Sequence, residues 1–152
     1  MTLRRNKRFF RILALCLALF LVIPTYAGAT EIETMQPRAS HYLTSYQTYV
    51  YPAGSGKVQV WFDVTGDTYM DDIGALSIEV WESTNTFTWT RVETFLHDDC
   101  PSMLDHNDYA YMSHVEYQGV AGRYYKAYVC IWAGKDGGGD TRYLWTSAKK
   151  AT

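Results

Sequence analysis

Few features of this chain favour a helical or heavily cross-linked protein. It has three cysteines and four prolines in 152 residues, and good helix formers rarely follow one another. No internal repeat, linker or low-complexity tract divides it, so a second domain is not expected. Its one long apolar run, Ile12 to Ile23, is roughly half the ~20 residues a bilayer-spanning helix needs. Between Asp63 and Glu116 the only Lys or Arg is Arg91, so that half repels phosphate backbones and anionic membrane surfaces, which argues against nucleic acid. No G-x-S-x-G, H-E-x-x-H or P-loop pattern occurs, and no cofactor is expected.

What is present begins with a three-part export signal. Arg4, Arg5, Lys7, Arg8 and Arg11 form a positive start, Ile12 to Ile23 an apolar centre, and Ala27-Gly28-Ala29 a small-residue cleavage site. Residues 1–29 are therefore expected to be removed as a signal peptide, leaving a secreted, extracellular protein with no membrane attachment. An uncleaved signal anchor is the competing reading. A lipoprotein reading fails, because large Leu15 precedes Cys16 inside the apolar run. Residues 30–39, with Glu31, Glu33 and Pro37, are expected to be a short mobile leader ahead of a domain over 40–149.

Cleavage removes five of the fourteen basic residues, so nine Lys and Arg face sixteen Asp and Glu, a net charge of about −7. A cationic or neutral partner suits such a protein better than an anionic one. Cys100 and Cys130 survive processing, and an even pair in an exported protein is expected to form a disulfide, worth about 3–4 kcal/mol by the chain-entropy model. Two free thiols are the alternative.

Tyrosine and tryptophan are abundant, and such residues fit pleated, half-buried surfaces. From Ser40 onward, β-branched and aromatic runs alternate with turn clusters, which predicts an all-β antiparallel sandwich of about seven strands. The first spans about His41 to Tyr51 and stops at Pro52-Ala53-Gly54-Ser55-Gly56. In the second, Val58, Val60, Phe62 and Val64 alternate with Lys57, Gln59, Trp61 and Asp63. An acidic loop from Thr65 to Gly74 leads to strand three, where Leu76, Ile78 and Val80 alternate with Ser77, Glu79 and Trp81. Strand four covers Thr88 to Leu96, with a bulge near Trp89. A long connection from His97 to Asp108 crosses between sheets. Strands five and six cover Tyr109 to Gln118 and Arg123 to Ala133. A hairpin tip over Lys135 to Asp140 precedes the last strand, Thr141 to Ser147.

The segment Gly122-Arg123-Tyr124-Tyr125-Lys126-Ala127-Tyr128-Val129-Cys130-Ile131 resembles the tyrosine-corner strand of fibronectin type III and immunoglobulin-like sandwiches. There a glycine turn precedes a tyrosine whose hydroxyl bonds to upstream backbone, and Tyr125 matches that tyrosine. The resemblance implies architecture and no function. The inter-sheet cysteine pair of antibody domains is not reproduced. Through His41-Tyr42-Leu43-Thr44-Ser45-Tyr46, Val120-Ala121-Gly122-Arg123-Tyr124-Tyr125-Lys126 and Arg142-Tyr143-Leu144-Trp145-Thr146-Ser147, the chain also resembles an uncharacterised family of short exported Firmicutes proteins. That implies a Gram-positive source and secretion, and brings no activity.

In an immunoglobulin-like ordering, strands three, six and seven share a sheet whose outer face collects Trp81, Tyr124, Tyr128 and Trp132, joined by Tyr143 and Trp145. Such a face suits stacking on sugar rings or docking on a protein. The competing expectation is that the Cys100 loop, pinned at Cys130, folds over this face as a second small core. Asp63, Asp67, Asp71 and Asp72 near Gly66 offer oxygen to a hard cation, and Asp136 and Asp140 flank three glycines, but neither spacing is that of an EF-hand. His97, Asp98, Asp99, Cys100 and His106 match no zinc template, and His114 beside Glu116 reads as an exposed pair. The expectation is a non-catalytic binding or interaction module, with no metal site and an extracellular glycan or protein as its ligand. A small secreted hydrolase or antagonistic effector acting on cell envelopes is the alternative, because paired carboxylates need not be close in sequence.

Overall fold

The computed structural model describes residues 41–152. The expected signal peptide and leader lie outside the described residues. All regular structure here is strand except one 3₁₀ turn, Pro101–Met103. The strands are β1 (Leu43–Gly54), β2 (Lys57–Ser83), β3 (Thr90–Leu96), β4 (Leu104–Gln118), β5 (Tyr124–Lys135), β6 (Gly138–Trp145) and β7 (Lys149–Lys150). They form one antiparallel sheet curled into a half-barrel, so the chain is all-β and sandwich-like.

Strand β2 organises the curl. Its first part, Lys57 to Thr65, lies between β1 and β4; its last part, Ser77 to Ser83, lies between β3 and β5. At Asp72 to Gly74 it is paired with β4 on one edge and β5 on the other. One strand thus serves both layers, and its inward residues meet those of β5 in a single core. Val58, Val60, Phe62 and Val64 pack with Ile78, Val80, Tyr125, Ala127, Val129 and Ile131, all fully buried.

The continuity of β2 corrects the acidic loop expected over Thr65 to Gly74. Met70, Ile73 and Ala75 within and after that stretch are fully buried, so it is core strand with its carboxylates turned outward. Register breaks fall between Thr65 and Met70 against β4, and between Ala75 and Ser77 against β5. Both breaks insert residues, and the buried positions run even through Val64 and Met70, odd at Ile73 and Ala75, and even again from Ile78 after the second break, so alternation fails although the strand continues. Strand four becomes β3, and its bulge lies opposite Val80 and Trp81, with Val92 the extra residue. The expected long connection is short, because β4 already begins at Leu104. Packing also runs past 149: Ala151 is buried and the Thr152 carbonyl accepts the Gly56 N–H at 2.8 Å. Pro52 is tolerated because β1 is an edge strand and Pro52 borders the register break before Gly54, positions to which proline in sheets is confined.

Candidate functional site

Strand three of the sequence reading is the last part of β2, and it does lie beside β5 and β6. Its outward residues come into register: Glu79 opposes Tyr128, which opposes Trp145, and Ser77 opposes Cys130, which opposes Tyr143. Trp145 is the hub. Its ring lies 5.7 Å from Trp81 at 63° and 4.8 Å from Tyr128 at 34°. Tyr128 in turn stacks on Tyr143 at 5.7 Å and 18°. Edge-on and offset contacts of this kind suit the ring quadrupoles.

Cations border the rings. The Lys126 ammonium sits 4.5 Å from the Trp89 ring centre and 4.2 Å from that of Trp145, a geometry stabilised by the negative faces of both indoles. Glu79 accepts from Trp81 Nε1 at 3.1 Å and from Arg91 at 2.7 Å, which fixes the indole edge of Trp81. Trp89 is held by its own Nε1, donating to the Thr86 carbonyl at 3.0 Å. Nothing in the sequence placed Lys126, Arg91 or Trp89 at this face, although Arg91 stands out there as the only Lys or Arg between Asp63 and Glu116.

The four aromatic residues named from sequence are not one cluster. Trp81 and Tyr128 join through Trp145, whereas Tyr124 stands apart beneath Lys150, 5.6 Å from its ring centre. Trp132 also stands apart, with its indole against Gly134 and Gly139. All four share the outward phase, but the rows separate them.

The face is open. Tyr143 is 63% and Trp145 50% exposed, and the loop after β3 turns toward the core instead, burying Met103. The expected disulfide is also absent: Cys100 and Cys130 are free thiols outside bonding distance. Cys130 lies inside β5, hydrogen-bonded to Tyr143 and Ser77, while the Cys100 N–H bonds the Leu96 carbonyl and its side chain packs on the core. Burial pushes the Cys130 thiol above its ordinary range, against the opposing effect of those two hydrogen bonds. Thiol titration of the native protein at neutral pH is therefore expected to label Cys130 slowly, and reductant to leave the melting temperature unchanged. A reductant-sensitive melting temperature would restore the disulfide.

The acidic residues are engaged separately. Asp63 accepts from Gln47 at 2.8 Å, Asp71 from the Asp136 N–H at 2.7 Å, and Asp140 from the His41 and Tyr42 N–H groups. Asp72 pairs with His106 at 2.6 Å, and His97 lies 3.5 Å from Asp98. Among the described residues no three such groups converge as metal ligands. The exposed pair expected of His114 and Glu116 is not formed: Glu116 pairs with Lys57 at 2.9 Å, while half-buried His114 stacks on Trp61. The corner expected at Tyr125 is present, since its hydroxyl accepts the Val120 N–H at 2.8 Å and donates to Glu82.

No family model and no curated protein matches the chain. Among solved structures it is similar to the sporulation control protein Spo0M from Bacillus subtilis, at 10% identity and a TM-score of 0.36, over 69% of this chain and 49% of that one. It is also similar to a family 76 glycoside hydrolase from a bovine Bacteroides thetaiotaomicron strain, at 15% identity and a TM-score of 0.32, over 70% of this chain and 20% of that one. The chain thus spans about half of the first neighbour and a fifth of the second. Likenesses this distant carry no functional argument.

Proposed function

We propose that this chain is a secreted, non-catalytic module that binds an extracellular glycan on the outer face of β2, β5 and β6. The observation supporting the reading is the solvent-open ring cluster centred on Trp145, with Trp81, Tyr128 and Tyr143 around it. Sugar rings present C–H surface that indoles and phenols desolvate, while their hydroxyls need donors and acceptors nearby. Lys126, Glu79 and the tyrosine hydroxyls supply those. Exposed apolar surface of this kind marks interaction sites in single-domain proteins.

Two measurements test the reading. Purified protein starting at Thr30 is expected to co-sediment with at least one insoluble glycan among cellulose, chitin, xylan and cell-wall sacculi. The Trp81→Ala/Trp145→Ala variant, with an unaltered circular dichroism spectrum, should lose about tenfold in affinity. Equal retention of both proteins would refute the site, and retention only on a protein partner would replace the ligand class. Export is tested by N-terminal sequencing of the culture supernatant. A start at Thr30 supports it, and an intact Met1 confined to cells opposes it.

A further inference from the structure

The opposite layer carries an aromatic row of its own. Tyr49, Trp61 and His114 are direct partners across β1, β2 and β4, and their rings are nearly parallel. Tyr49 lies 6.3 Å from Trp61 at 9°, and Trp61 lies 4.3 Å from His114 at 20°. Tyr51, 55% exposed, meets the Tyr49 ring edge-on at 5.1 Å.

Rows of planar polar groups flank this aromatic row on both sides. On one side Gln59 opposes Glu116, and on the other Gln47 neighbours Asp63. Their orientations are set by one another. Trp61 Nε1 donates to Gln59 Oε1 at 3.1 Å, Gln59 Nε2 donates to Glu116 at 2.7 Å, and Lys57 donates to the other Glu116 oxygen at 2.9 Å. Gln47 Nε2 donates to Asp63 at 2.8 Å. The hydrogen bond from Gln59, followed by that from Lys57, holds the Glu116 carboxyl below its ordinary range, so it is an acceptor at neutral pH.

We propose that this face is a second binding site, for a neutral polysaccharide, so that one molecule bridges two chains. The occupant follows from the chemistry of the rows. An apolar partner would strip water from two carboxylates, at a cost with no return. A polyanion would meet those two carboxylates against the single ammonium of Lys57. A neutral polyol instead brings hydroxyl donors to carboxylates already oriented and lays its C–H surface on the rings. None of these residues belongs to the Trp145 cluster, so the two sites stand independently.

The test measures retention of the purified protein on microcrystalline cellulose, chitin and insoluble xylan. Four proteins are compared: wild type, Trp81→Ala/Trp145→Ala, Trp61→Ala, and the combination. Because Trp61 is half-buried, Tyr51→Ala/Glu116→Gln serves as a second variant at exposed positions. The proposal expects residual binding in Trp81→Ala/Trp145→Ala that either second-face change reduces about tenfold. It also expects wild type alone to cross-link soluble β-glucan into sedimenting complexes. If Trp81→Ala/Trp145→Ala abolishes retention and the second-face variants bind like wild type, this site is overturned and the first stands. If only the second-face changes matter, this site stands and the first falls. Failure of wild type on all three solids removes this site, and failure on cell-wall sacculi as well removes the first.

Discussion

Replacing Tyr125 by phenylalanine is expected to lower the unfolding free energy by about 2–3 kcal/mol, more than a lost methylene-sized contact and without changing the core's volume. The ring itself is fully buried, so its loss is not at issue. The hydroxyl accepts the Val120 N–H at 2.8 Å and donates to Glu82, whose carboxylate also pairs with Arg123. Phenylalanine leaves that N–H and one lobe of a half-buried carboxylate unpaired, and unmade bonds in such places cost more than made ones return. For a domain of this size the melting temperature should fall by about 10 °C. Alkaline pH gives a second signature. Burial, followed by the hydrogen bond to Glu82, pushes the Tyr125 hydroxyl up to about 12. The folded state keeps this proton between pH 10 and 12 while the unfolded chain releases it. The stabilisation is therefore whole below about pH 10 and lost as the pH rises toward 12, by on the order of 2 kcal/mol. Tyr125→Phe should show a correspondingly flatter alkaline decline, and parallel declines in the two proteins would refute the corner's role.

Gly74→Ala is expected to prevent accumulation of folded protein, or to destabilise it by about 4 kcal/mol or more. Gly74 has φ +148° and lies where β2 is paired on both edges, to Leu104 of β4 and Trp132 of β5. A Cβ there would stand 2.2 Å from the Met103 carbonyl oxygen. The nearest atoms are all backbone, of Met103 and Leu104, with no side-chain tip to yield, so relieving the clash means unpairing β2 from β4 at the centre of the strand that serves both layers. Gly122→Ala is the control: its φ is +86°, but a Cβ there meets nothing within 4 Å. It should cost only about 1 kcal/mol, the conformational part alone. Equal costs at the two positions, read by denaturant unfolding, would show that packing at Gly74 is not what matters.

The sequence made legible whatever depended on a short window. Val58, Val60, Phe62 and Val64 alternate because one face of that strand is core, and the same holds from Tyr125 to Ala133. The tyrosine corner was readable because its glycine turn and its tyrosine are close in the chain. Seven strands were counted and the described residues form seven, but not the same seven. Strands two and three are one: residues between Thr65 and Met70, and then Leu76, are inserted against their partners, and the buried positions shift from even to odd between Met70 and Ile73 and back to even across Leu76. Strand β7 is two exposed lysines, held by pairing with Tyr124 and Tyr125, and no local pattern announces it.

The candidate surface was half legible for the same reason. Outward phase placed Trp81, Tyr124, Tyr128 and Trp132 on one face with Tyr143 and Trp145, but which rings touch depends on cross-strand register, and that makes Trp145 the hub and excludes Tyr124 and Trp132. Trp61 looked like an exception on a polar strand face because Tyr49 and His114 become its neighbours only through β1 and β4. Trp89 and Lys126 find each other across a loop, by a cation and ring contact without periodicity. The cysteine pair misled because count and compartment say nothing about distance, and Cys130 is committed within β5.

The account's central claim is that the Trp145 cluster is the surface that meets the ligand. Oxidative footprinting of the protein, free and bound to a retaining glycan, tests it most directly. Protection of Trp81, Tyr128, Tyr143 and Trp145, with Phe87 at 88% exposure labelled equally in both states, is the predicted result. Unchanged labelling of those four side chains in the bound state would contradict it.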